Sequence, residues 1–273
     1  MIEGLVTGIS SGHLEWKTLE DLFQRCQREW DFQVIEIWSE QIGYPPDRKV
    51  CADVKVLAEK HEIAIGYHAP LFGEYDLARH GASQGGLIIR ELLQVCNRMR
   101  VEFLTIHLGT NPDRQAGLRS AMSAISQNGL QIEKQRVKIA IECVPTVWGN
   151  QVGDRVEDFE LIFRALDHPW LGLNLDFGHA QLNRNLDQFI ARVGDRIIYC
   201  HIHDTRGDID EHLGYGMGTI DWTRSLRALL STGFRGPFVI EYPEMHGADK
   251  TARFLADLRT HCISCDALNG GPP

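Results

Sequence analysis

Short apolar runs alternate with amphipathic helical stretches along the whole chain, eight times over, and this alternation restricts the fold more than any other feature. The apolar runs are LVTGIS (5–10), VIEIWS (34–39), AIGYHAP (64–70), FLTIHLG (103–109), KIAIECV (138–144), LGLNLDF (171–177), IIYCHIHD (197–204) and PFVIEYP (237–243). Their near-continuous apolar character marks strands covered on both faces, as in a parallel sheet. Between them lie stretches such as TLEDLFQRCQREW (18–30), RKVCADVKVLAEKHE (48–62) and SQGGLIIRELLQVCNRMR (83–100), apolar on one helical face and charged on the other. A long helical stretch is expected to follow the fourth strand, to about residue 135. Strict alternation over 273 residues fits a closed (β/α)8 barrel better than an open doubly wound sheet. The first strand-to-helix turn also lacks the G-x-G-x-x-G of a dinucleotide-binding fold. With no linker or change of composition, residues 1–265 read as one domain, and ALNGGPP, within 266–273, as a disordered tail.

Composition narrows the class. The net charge of −9, without a Lys/Arg run longer than a pair, argues against a nucleic-acid partner. No apolar run is long enough to span a membrane, and the acidic start MIEGLVTGISSGHLEW lacks the regions of a signal peptide. Cys26, Cys51, Cys96, Cys143 and Cys200 lie inside apolar patterns, which suits buried thiols in a reducing cytoplasm. Cys262 and Cys265 make a C-x-x-C with no second pair to complete a zinc knuckle.

The chemistry lies at the strand ends. His68, His107, Glu142, Asp176, His179, His201 and Glu241 each end an apolar run or follow it closely. In a (β/α)8 barrel these tips meet at the C-terminal face, where active sites form. Glu142, Asp176, His201 and Glu241, from strands five to eight, offer three carboxylates and an imidazole, a set suited to Mn2+, Mg2+, Co2+ or Zn2+. His68 and His107 either complete a second site with Glu142 or bond substrate. His179, Asp210 and His212 form a third group, as ligands or as hydrogen-bonding support. Glu36, His203 and Trp148 are weaker candidates for substrate contact. For Glu36 a salt bridge at the barrel rim is the alternative, and for His203 a satisfied rim histidine. His13, His61, His80, His168, His246 and His261 lie on helices or loops and read as surface residues. Gly214, Gly216 and Gly218 mark a tight turn, with phosphate cradling as the alternative.

At HAP (68–70), His107, Glu142, D-F-G-H (176–179), H-I-H-D (201–204), GMGTIDW (216–222) and IEYPE (240–244), the chain resembles the xylose isomerase-like TIM-barrel superfamily. That superfamily holds sugar isomerases and epimerases together with endonuclease IV. The resemblance to its sugar enzymes implies one divalent ion on Glu142, Asp176, His201 and Glu241. It also implies that Glu142 and Glu241 exchange protons with a small polyhydroxylated substrate through an enediolate. The resemblance to endonuclease IV implies instead three zinc ions on His68, His107, Glu142, Asp176, His179, His201, Asp210, His212 and Glu241, and hydrolysis of abasic DNA. D-F-G-H, GMGTIDW and the acidic charge favour the sugar branch, and the stretch APLFGEYDLA lacks the loop typical of the nuclease. The oligomeric state is left open, a homo-oligomer being compatible.

Overall fold

The computed structural model describes residues 6–71, 73–243 and 248–268. The side chains of Cys262, Cys265 and His261, together with His246 and residues 269–273 of the expected tail, lie outside this description.

Eight strands form a closed barrel in chain order: β1 Val6–Ser10, β2 Val34–Trp38, β3 Ala64–His68, β4 Phe103–Ile106, β5 Lys138–Glu142, β6 Leu171–Asp176, β7 Ile197–Ile202 and β8 Pro237–Ile240. Neighbouring strands are parallel, and β1 closes on β8 with Val6 opposite Pro237 and Ile9 opposite Ile240. The expected (β/α)8 architecture is therefore the observed one.

Local sequence sets the helix starts. Thr18, Asp47, Asp113 and Asp221 each accept a hydrogen bond from a backbone N–H in the first turn of the helix that follows. Such caps satisfy amide donors that a helix cannot satisfy internally. The long helix expected after β4 is in fact two, Arg114–Ser126 and Gly129–Gln135. The break falls at Gln127–Asn128, where the Asn128 side chain donates to the carbonyls of Ala124 and Gly86, tying the first helix to helix Ala82–Met99. His61 departs from the surface reading. Helix Arg48–His61 packs on helix Leu19–Trp30, leaving His61 buried beside Phe23 with Nδ1 2.8 Å from Gln27 Oε1. The five cysteines expected to be buried are buried free thiols. No helix among the described residues is long and apolar enough to cross a membrane.

The barrel interior is layered by the two-residue period of its strands. Val34, Phe103, Ala140, Tyr199 and Val239 form an apolar floor. Two residues further along come Glu36, Thr105, Glu142 and His201 on the same strands and Glu241 just past the end of β8, every one of them buried. The polar layer is thus the direct continuation of the floor toward the C-terminal ends.

Candidate metal centre

His201 is the middle of this layer. Its Nδ1 lies 3.1 Å from Glu241 Oε2, 3.4 Å from Glu142 Oε2 and 3.7 Å from Asp176 Oδ2. Strand register explains the meeting: Asp176 pairs with His201 across β6 and β7, and Glu142 pairs with Asn174 one step below. Asn174 Nδ2 packs 3.2–3.3 Å from the His201 ring nitrogens. Asp176 also caps helix Phe177–Leu182, accepting from the His179 N–H at 2.7 Å, so the helix start immobilises the carboxylate.

Glu142 reaches outward as well. Its Oε2 lies 3.2 Å from Nε2 of both His68 and His107, and its Oε1 3.3 Å from His179 Nδ1. Neither ring nitrogen of His107 has a hydrogen-bond partner among the described residues, so its close approach to Glu142 lacks hydrogen-bond alignment. His68, His107 and Glu142 thus bring ligand atoms within 4.8 Å of one another, close enough to share a cation. Further along, His179 Nε2 and His212 Nε2 lie 3.2 and 3.3 Å from Asp210 Oδ2. His212 Nδ1 sits 2.6 Å from the Glu241 carbonyl oxygen. His203 Nε2 lies 2.9 and 3.0 Å from the two oxygens of Asp176, and its ring stacks on His212 at 4.0 Å. Gly178 makes that possible, since a Cβ there would fall 1.9 Å from His203 Cε1.

Ligand atoms gather in four groups, each within 4.8 Å: Glu142–Asp176–His201–Glu241, His68–His107–Glu142, His179–His203–Asp210–His212 and His13–His212–Glu241. The donor chemistry fits divalent cations, with carboxylates and imidazoles converging in a buried setting where unpaired charge is costly. Buried Glu241 Oε1, Asp210 Oδ1 and His203 Nδ1 have no hydrogen-bond partner among the described residues, which leaves donor capacity for an ion or a substrate.

Charge in these groups is mutually stabilised. Burial raises the pKa of Glu142, but His201 and His107 outweigh it and hold the carboxyl well below its usual range. Burial likewise opposes ionisation of Asp176, and His179 and His203 reverse that. Glu241 is pulled down to about 2, His201 outweighing burial. In return His201 is held well above the usual imidazole range, its burial outweighed by Glu241, Glu36 and Glu142. Glu142 outweighs burial at His68 and Asp210 does so at His212, bringing each to about 9.

A family model for the xylose isomerase-like TIM barrel matches residues 25–258. The chain belongs to the xylose isomerase-like TIM barrel family. Among relatives of this family member, an uncharacterized protein of Methanocaldococcus jannaschii is 27% identical over 240 residues, 84% of this chain and 81% of that protein. A Thermoplasma acidophilum protein named Probable endonuclease 4 is 35% identical over 133 residues, 44% of this chain and 45% of that protein. A crystal structure of a D-tagatose 3-epimerase-like protein superposes with a TM-score of 0.79 at 23% identity, covering 97% of this chain and all of that one, a likeness of fold.

The nine strand-end and loop residues singled out in the sequence lie near one another, in three of the four groups of ligand atoms. Glu36 is not at a rim salt bridge: it is fully buried, with Oε2 2.8 Å from His201 Nε2 and Oε1 accepting from Thr105 Oγ1 at 2.6 Å. His203 is likewise buried within the site, on Asp176. Trp148 stands between two of the groups, its ring 5.9 Å from His107 and 5.3 Å from His179. Trp38 packs on His68 at 4.9 Å. The glycine loop is a close-packed turn, since a Cβ on Gly218 would lie 2.3 Å from both Asp204 Oδ1 and the Thr205 carbonyl oxygen. His13, expected at the surface, is instead half-buried, stacked on His212 at 4.5 Å and edge-on to Trp38. Burial, aided by His212, pushes its pKa down to about 3. Its signal in the sequence is its place three residues past the first strand, the same offset that separates His179 from Asp176.

Proposed function

We propose that this protein is a divalent-metal-dependent isomerase or epimerase of a sugar or sugar derivative, with Glu142, Asp176, His201 and Glu241 holding the ion. The observation that carries the reading is the approach of Glu142 and Glu241 to His201 Nδ1 from different strands, each with a carboxylate oxygen within 3.4 Å. A cation bound there would polarise adjacent carbonyl and hydroxyl oxygens of the substrate and so acidify the C–H on the carbon beside the carbonyl. The two glutamates differ in what restrains them. Glu142 is engaged by four imidazoles, those of His68, His107, His179 and His201. Glu241 has His201 on one oxygen, and its buried Oε1 has no hydrogen-bond partner among the described residues. Glu241 is therefore the better placed to take the proton from carbon, with Glu142 returning it or receiving it in the reverse sense. His68 and His107 on one side and His179 and His212 on the other supply hydrogen bonds for the hydroxyls of a small polyol.

A second reading has its own support. The outer groups His68–His107–Glu142 and His179–His203–Asp210–His212 flank the central one, so the chain offers donors for three ions, and one relative is named an endonuclease 4. Under that reading the protein hydrolyses a phosphodiester of abasic DNA. Incubation with ketoses in deuterated water separates the two. The sugar reading expects deuterium at the carbon beside the carbonyl and no nicking of an abasic duplex. Nicking without exchange on any small polyol reverses the assignment.

A further inference from the structure

Glu36 lies on the opposite side of His201 from the three carboxylates. Its Oε2 is 2.8 Å from His201 Nε2, while Nδ1 faces Glu241, Glu142 and Asp176. Both Glu36 and His201 are 0% exposed, so water does not compete for the contact. Glu36 is itself held, because Thr105 Oγ1 donates to its other oxygen at 2.6 Å from two strands away. His201 is its one ion-pair partner among the described residues.

We propose that Glu36 is a positioning residue that sets the His201 ring for ligation through Nδ1. An ionised carboxylate only accepts hydrogen bonds, so the nitrogen facing it carries the proton. A neutral imidazole has one protonated nitrogen, so the Nδ1 lone pair is then free toward the carboxylate trio. A carboxylate behind a ligating imidazole also raises its basicity and fixes its plane, and losing such a partner typically costs about 10- to 100-fold in metal affinity. Thr105 extends the arrangement by one bond, orienting the carboxylate that orients the ring. Glu36 therefore acts on the centre through His201 and not by touching substrate. The inference rests on the metal-centre reading proposed above.

The test is calorimetric titration of metal-free protein with Zn2+, using Asp176→Asn to identify the central binding event, together with 15N spectra of the histidines with and without zinc. Glu36→Gln keeps the shape and removes the charge. The expected result is central-site affinity roughly 10- to 100-fold weaker, with the His201 ring protonated at Nε2 in zinc-bound wild type and no longer held to that single tautomer in the zinc-bound variant. Thr105→Val, which deletes only the bond that holds Glu36, should weaken binding by a smaller factor. Zinc binding by Glu36→Gln within twofold of wild type, with the same tautomer, overturns the role of Glu36 and leaves the metal centre standing. If Glu36→Gln fails to fold, Thr105→Val decides, and unchanged affinity there overturns the proposal. A wild-type protein that binds no zinc overturns the metal centre and the role of Glu36 together.

Discussion

Glu142 Oε2 lies 3.2 Å from His107 Nε2 and 3.4 Å from His201 Nδ1. The carboxylate thus belongs to two groups at once, the central one with His201 and the outer one with His68 and His107. If the central group is the primary site, removing an outer ligand leaves it largely intact. His107→Ala should keep the central zinc event within about tenfold of wild type, the lower end of what an outlying partner contributes. Titration calorimetry measures this, and loss of all binding in the variant would mean that the groups function as one centre.

Glutamine at the two glutamates should separate binding from proton transfer. Glu241→Gln retains one ligating oxygen and should still bind the ion, while deuterium exchange into substrate falls about 100- to 10,000-fold, the range for loss of a general base. Glu142→Gln, at a residue engaged by four imidazoles, should lose both binding and exchange. Full exchange activity in Glu241→Gln would assign the base elsewhere.

The metal-free protein should have a narrow pH window of greatest stability. Glu241 is depressed to about 2, so the stability it contributes is complete above the ordinary carboxylate pKa of about 4.3 and is lost as pH falls toward 2. His68 and His212 are raised to about 9, so their contribution is complete below about 6.5 and is lost as pH rises through 9. His13, depressed to about 3, binds a proton more readily when unfolded and so lowers stability as pH falls below about 6.5. Thermal midpoints in EDTA should therefore peak near pH 6.5, falling on the acid side and declining toward pH 9. Saturating zinc should offset the alkaline decline, because ligation uses deprotonated imidazoles and strengthens as protons leave. Midpoints in EDTA that hold level or rise from pH 6.5 to 9 would contradict the charge balance described for the site.

The barrel and most of its polar layer were legible from the sequence because both follow the strand period. The patterns V-x-E at 34–36, A-x-E at 140–142, Y-x-H at 199–201 and V-x-E at 239–241 each place an apolar floor residue two positions below a polar one. Glu36 shows where the pattern stops informing. The sequence puts its carboxylate inside the barrel, but whether it meets a rim cation, a substrate or His201 depends on side-chain reach across strands that are not neighbours. His13 was hidden for a related reason. It follows β1 in a short 3-10 turn, and only closure of β1 on β8 brings that turn beside Glu241 and His212. The break at Gln127–Asn128 did carry a signal, the turn-forming Asn128-Gly129 pair, and the Asn128 side chain bonding to a different helix fixes it there.

If Glu142, Asp176, His201 and Glu241 hold a divalent ion, elemental analysis of the purified, exhaustively dialysed protein will find it. Protein prepared with zinc, manganese or cobalt present should retain at least one ion per chain, and Asp176→Asn, folded by circular dichroism, should lose the central ion. No retained divalent ion in the wild type, or retention undiminished in Asp176→Asn, would mean that these four residues do not form a metal centre.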